Sequence, residues 1–248
     1  MSKNKDDSSR LPDFFSIGLG IILAVLVIAV IMSWSARCAS SQELLNKMTF
    51  VGVGCSTPWK SDLHIRGYVT DPEEDVFVLT YIAVDELPIS REVRAVSYPD
   101  FLLSIPNVIC QYFPYREDTS GVLIIESPFF VRGWVRTYAE TEEGTVGQAI
   151  PRSAPLDLDV NYEILGDRAF PENSRLNVFL VNLDSDFAVI RAHDSMVVLE
   201  EREAYLLYNL PPYVILRVEI GSKVHAIASL VDNGTSDPTT IPIFRVIE

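Results

Sequence analysis

The sequence is poor in the residues that make chemistry legible. In 248 residues it holds three histidines and three cysteines. His64, His193 and His225 are scattered, with no His-x-His or His-x-x-x-His pair, so no metal site can be read from spacing. Three cysteines do not make a disulfide framework. Cys55 and Cys110 are the pair open to bridging, while Cys38 lies apart beside an apolar run. No Gly-x-Ser-x-Gly elbow, phosphate loop or dinucleotide fingerprint follows a strand-like segment, and no cofactor is expected. Positive charge is also short: 20 Lys and Arg stand against 34 Asp and Glu, a formal net charge of −14. Such a chain repels phosphate backbones. No run of Lys or Arg with interleaved aromatics offsets the repulsion, so nucleic acid is not an expected partner.

One long hydrophobic run is present. Residues 14–36, "FFSIGLGIILAVLVIAVIMSWSA", carry no charge. At about 1.5 Å per residue a helix of this length reaches about 34 Å, enough for a hydrocarbon layer of about 30 Å. Trp34 at one end and Phe14 and Phe15 at the other suit the two interfaces. The run is longer than the apolar centre of a signal peptide. The reading is a short polar tail over 1–13, a transmembrane helix over 14–36, and a juxtamembrane linker or short helix over 37–50. Ser40 and Glu43 have capping-box spacing in that last stretch. Lys3, Lys5 and Arg10 precede the span, and Arg37 and Lys47 follow it. The basic excess places the N-terminus inside and the C-terminal domain outside the cytoplasm in a single-pass membrane protein. Expected partners are then membrane lipid along 14–36 and other membrane or membrane-associated proteins.

Residues 51–248 read as a β-rich soluble domain. "DVFVLTYIAV", "GVLIIESPFFVRGWVRTY", "RLNVFLVNL", "FAVIRAHDSMVVLE" and "YVILRVEIGSKVHAIASLV" are rich in β-branched and aromatic residues, and turn signals such as "LDSDF", "LPPY" and "DNGTSDP" separate them. Gly221-Ser222 has the form of a two-residue hairpin turn. Strands this closely spaced, without crossover helices, predict a mainly β fold, an antiparallel β-sandwich or barrel-like domain. A subdivision is expected, if anywhere, near 139–157, which is polar at its start and carries Pro151 and Pro155. "HIRGYVT" from His64 and "FVRGWVRT" from Phe130 share an Arg-Gly-aromatic step. They are either two related sheet motifs or a chance likeness. In each, Ile65, Gly67 and Val69, or Val131, Gly133 and Val135, would line one face of a strand.

Candidate site residues follow from residue type. His193, Asp194, His225 and Glu219 are the dispersed acid–base groups that an enzyme would have to assemble. Asp71, Glu73 and Asp75 could offer hard oxygen ligands to calcium, as could Asp232, Asn233 and Asp237, although "DNGTSD" lacks the EF-hand register. Asn233-Gly234-Thr235 is a glycosylation sequon in a turn-like context, usable in an extracytoplasmic location. In "QYFPYRE", Tyr112, Tyr115 and Arg116 are candidate contacts to a protein partner. The leading expectation is a membrane-anchored interaction or structural subunit presenting a β-rich domain for assembly. The alternatives are a tethered enzyme built on the dispersed His and carboxylate groups, and a ligand- or carbohydrate-binding β module. Exposed Trp59 or Trp134 would mark the last of these.

Overall fold

Some strands, such as Trp59–Tyr68 and Tyr213–Ile220, alternate between a buried and a more exposed face, while others, such as Lys47–Cys55, are buried on both. The computed structural model describes residues 47–69, 75–84, 86–95, 99–116, 119–142, 144–165, 173–183, 185–221, 223–235 and 238–246. All lie in the unit spanning Leu45–Glu248. The first half contains β1 (Lys47–Cys55), β2 (Trp59–Tyr68), β3 (Val76–Ala83), β4 (Ile89–Arg94) and β5 (Asp100–Ile105). A short helix α1 (Val108–Tyr112) and a 3-10 turn (Pro114–Arg116) follow, then β6 (Thr119–Glu126), β7 (Phe130–Thr141) and β8 (Gly144–Ile150). These strands form two antiparallel sheets in the orders β1-β6-β3-β4 and β5-β2-β7-β8. Phe50, Phe77, Tyr81 and Leu123 from the first sheet share one core with Leu63, Phe101, Val131 and Val135 from the second.

The second half contains β9 (Pro155–Leu156), β10 (Asn161–Leu165), β11 (Ser174–Asn182), β12 (Phe187–Ala192) and β13 (Ser195–Glu200). β14 (Ala204–Leu210), β15 (Tyr213–Ile220), β16 (Val224–Asp232), β17 (Pro238–Ile241) and β18 (Ile243–Arg245) complete it. Their sheets are β14-β11-β16-β17, with β9 on β16, and β13-β12-β15-β10-β18. Leu176, Val178 and Leu180 of β11 belong to a second core with Ile190, Leu216 and Val218. Their alternates Phe179 and Val181, with Leu183 just beyond, belong to the first core. The continuous apolar run of β11 thus reflects a strand covered on both faces. The chain leaves the first core at Ile150 and enters the second at Leu156, inside the stretch 139–157.

Several expectations are corrected. Mainly β content holds, but each sheet runs open from one edge strand to the other, and no closed barrel forms among the described residues. Nor is any helix among them long and apolar enough to cross a membrane. The helix α1 has five residues, against about 20 needed for a span. The expected transmembrane helix at 14–36, its polar tail and the capping box at Ser40 lie outside the described residues. A membrane-anchored assembly subunit, its lipid and membrane-protein partners and its single-pass, extracytoplasmic placement all needed such a span, and no helix among the described residues supplies one. β1 already begins at Lys47, inside the stretch read as linker or short helix. Gly221 does not close a hairpin: β15 and β16 lie in different sheets, and Gly221, at φ 97°, turns the chain from one to the other.

Candidate functional site

The outer face of the β5-β2-β7-β8 sheet gathers a group of side chains that neither strand displays as a cluster in sequence. On β2 the buried residues are Ser61, Leu63, Ile65 and Gly67, so Asp62, His64, Arg66 and Tyr68 point the other way. On β7 the buried residues include Val131, Val135 and Thr137, so Phe130, Arg132, Trp134, Arg136 and Tyr138 share the outer face. These are the two inner strands, and their register makes direct neighbours of Tyr68 and Phe130, of Arg66 and Arg132, and of His64 and Trp134. The two Arg-Gly-aromatic segments are therefore antiparallel partners. Arg66 and Arg132 form the central pair, with a pair of rings on either side.

Local packing fixes this arrangement. A Cβ on Gly133 would stand 2.6 Å from the backbone oxygen of His64, so glycine lets β7 approach β2 closely at the ring pair. The His64 and Trp134 rings stack with centroids 4.2 Å apart and planes 21° from parallel. Ser104 on β5 holds the imidazole from the other side, its Oγ 3.1 Å from His64 Nδ1. Trp134 nonetheless keeps 45% of its surface exposed, and Tyr68 keeps 49%. The Arg132 guanidinium lies 5.0 Å from the centre of the Phe130 ring, and Arg136 lies 5.0 Å from that of Tyr138. Stacking of this kind orients a guanidinium while leaving its N–H edge open to a carboxylate. Among the described residues no carboxylate forms an ion pair with Arg66, Arg132 or Arg136. At the rim, Asp62 accepts hydrogen bonds from the Asn107 backbone N–H at 2.8 Å and the Tyr138 hydroxyl at 3.3 Å. Burial, then the Asp62 charge and hydrogen bond, raise the Tyr138 phenol above its ordinary value.

The residues singled out from sequence are dispersed. His193 and Asp194 form the turn between β12 and β13, His193 at φ 52° with its Nε2 3.2 Å from Asp194 Oδ2. Glu219 is held by Arg191 at 2.6 Å, and that hydrogen bond keeps its carboxyl below the usual range. His225 lies buried on β16, its Nδ1 3.3 Å from Ser153 Oγ. Asp75 pairs with Arg94 at 3.3 Å. Asp71, Glu73 and Asp237 lie outside the described residues. Asp232 accepts the backbone N–H groups of Gly234 and Thr235, and among the described residues no group of three His, Cys, Asp or Glu is placed to hold a metal. Asn233 is exposed in the turn after β16, its side-chain oxygen accepting from Arg175.

Tyr115 is 86% exposed, whereas Tyr112 packs partly against the first core and Arg116 closes the 3-10 turn. Cys55 and Cys110 are joined as a disulfide with Cα atoms 5.6 Å apart. Trp59 is half-buried beside it, lining a depression of about 270 Å³ with Lys60 and Asn107.

The outer face is the feature that residue-type reasoning missed. The expected absence of Arg interleaved with aromatics is overturned, because the strand period brings them to one side. The signal was in "FVRGWVRTY", where every second residue is aromatic or Arg from Phe130 to Tyr138. No protein-family model, curated protein or solved structure matches the chain.

Proposed function

We propose that this β domain is a ligand-binding module that holds a ring-bearing, sugar-like ligand on the outer face of the β5-β2-β7-β8 sheet. One observation carries the reading. Trp134 is stacked on His64 and still nearly half exposed, at the centre of a sheet face and away from any core it could be filling. An isolated exposed indole is unremarkable on a protein surface. An indole braced by a second ring, with Tyr68 and Phe130 four residues along the strands, is a preorganised platform. The apolar C–H face of a pyranose can lie on such a ring while its hydroxyls meet the neighbouring polar groups.

The test is a titration of the full-length chain with a panel of neutral and acidic oligosaccharides, followed by tryptophan emission and calorimetry. Trp134→Ala is expected to weaken binding about tenfold, because ring stacking contributes about 1–1.5 kcal/mol beyond area burial. The circular dichroism spectrum should be unchanged. Trp59→Phe should leave the affinity intact. A panel without any binder, or binding that survives Trp134→Ala undiminished, would remove the reading.

A further inference from the structure

The centre of the face is the Arg66 and Arg132 pair. Directly opposed residues on adjacent antiparallel strands have Cβ atoms about 5 Å apart, and like charges in that position destabilise the pair. Here the pair lies on the two inner strands of a sheet in a chain whose formal net charge is −14. Carboxylates are plentiful elsewhere, yet no described one forms an ion pair with either guanidinium. Leu102, 80% exposed, is the neighbour of Arg66 on β5. The Arg132 guanidinium is already oriented by Phe130. Two arginines opposed in register can bring both guanidinium forks to one carboxylate or sulfate, and an anion between them would convert repulsion into attraction.

The surroundings limit what kind of anion this is. Positive charge does not continue along the face. Asp100 is the neighbour of Tyr68 at one end. Asp62 is the neighbour of Arg136 at the other, and Lys60 beyond it is paired with Glu140 at 3.3 Å. From the Asp62 row to the Tyr68 row is six residues, about 20 Å of strand. A single-stranded nucleic acid brings one charge per nucleotide and is held by a continuous positive track. This short island, bounded by carboxylates, suits a ligand with one or two charges set among several rings.

We propose that the ligand of this face is an acidic oligosaccharide, one of its acid groups seated between Arg66 and Arg132 and its neighbouring sugar rings resting on Trp134 and on Tyr68 with Phe130. The assignment rests on the ring-binding reading above and adds the charge of the ligand to it.

The experiment uses the full-length chain and calorimetric titration with sialyllactose, an aldotriouronic acid and a singly sulfated trisaccharide, each with one acid group among three rings, and with the carboxyl-reduced aldotriouronic acid and a dT10 oligonucleotide. At least one acidic sugar is expected to bind about tenfold or more tighter than the reduced, neutral one, and more weakly as salt rises. Arg66→Gln with Arg132→Gln is expected to abolish that preference without lowering the melting temperature, because the substitution also removes the like-charge repulsion. Equal affinity for acidic and neutral sugars, insensitive to the double substitution, would overturn the acidic assignment and leave the ring-binding reading standing. Tighter binding of dT10 than of every sugar would overturn it in favour of a nucleic acid. Failure of every sugar to bind would overturn both.

Discussion

Removal of the Cys55–Cys110 disulfide is expected to lower the stability of the β domain by about 4 kcal/mol. The bond closes a loop across a sequence separation of 55 residues. Loop-closure entropy released to the unfolded chain gives about that figure for a loop of this size. The native side adds to the effect. Cys110 is on α1, a helix too short to hold its own shape, and the bond ties it to the end of β1. Urea denaturation of Cys55→Ala with Cys110→Ala, or of the wild type under reductant, should show a midpoint lower by about 1.5–2 M. An unchanged midpoint would mean that Val108, Ile109 and Phe113, all nearly fully buried, dock this segment without the bond. The candidate face should feel the loss as well. Asn107, at the start of α1, donates to Asp62, which also receives the Tyr138 hydroxyl. A loosened α1 therefore reaches the rim of the face through two hydrogen bonds.

The alternating strands were legible because their residues obey a period of two, and the same period carries the members of the face, though not their grouping. Placing Ile65, Gly67 and Val69 together, and Val131, Gly133 and Val135 together, gives the buried side of β2 and β7. Ile65, Val69, Val131 and Val135 are each at most 2% exposed. Their complement, His64, Arg66 and Tyr68 with Arg132, Trp134 and Arg136, is the exposed side. What the sequence withheld was the pairing. Nothing local says that a segment near residue 66 lies beside one near residue 132, because register is set by hydrophobic pattern and turns over the whole sheet. The same limit explains Gly221. A Gly-Ser step between two strand runs is the local sign of a hairpin, but here the chain crosses between sheets, which only the packing of β11 and β16 decides. The dispersed His and carboxylate residues failed as a cluster for the opposite reason. They were grouped by chemical type, and residue type carries no information about position.

A large effect of a single core substitution is expected at Phe179, where the two halves of the domain meet. Phe179 is 4% exposed and is on the face of β11 turned to the first core, with Val181, Leu183, Ala204 and Ile227 beside it. Phe179→Ala should cost about 3–5 kcal/mol. Val178→Ala, one residue away and turned to the second core, should cost less because it deletes fewer atoms. The consequence for cooperativity differs too. Wild-type protein should unfold in one calorimetric transition, and Phe179→Ala should separate it into two, because the substitution removes apolar surface shared by both halves. The competing link is polar. Thr240 Oγ1 donates to Gln148 Oε1 at 3.0 Å or to the Ala149 carbonyl at 3.1 Å, and Ser229 donates to Gln148 at 3.3 Å, joining β17 and β16 to β8. A single transition at a lowered temperature in Phe179→Ala would assign the coupling to that polar link. Magnitudes favour the aromatic. Each of those hydrogen bonds exchanges water for protein and nets about 0.5–1.5 kcal/mol, and Thr240 has one proton to share between two acceptors. Together they fall short of the burial of one phenyl ring, so the apolar seam, rather than the polar one, should decide whether the halves melt together.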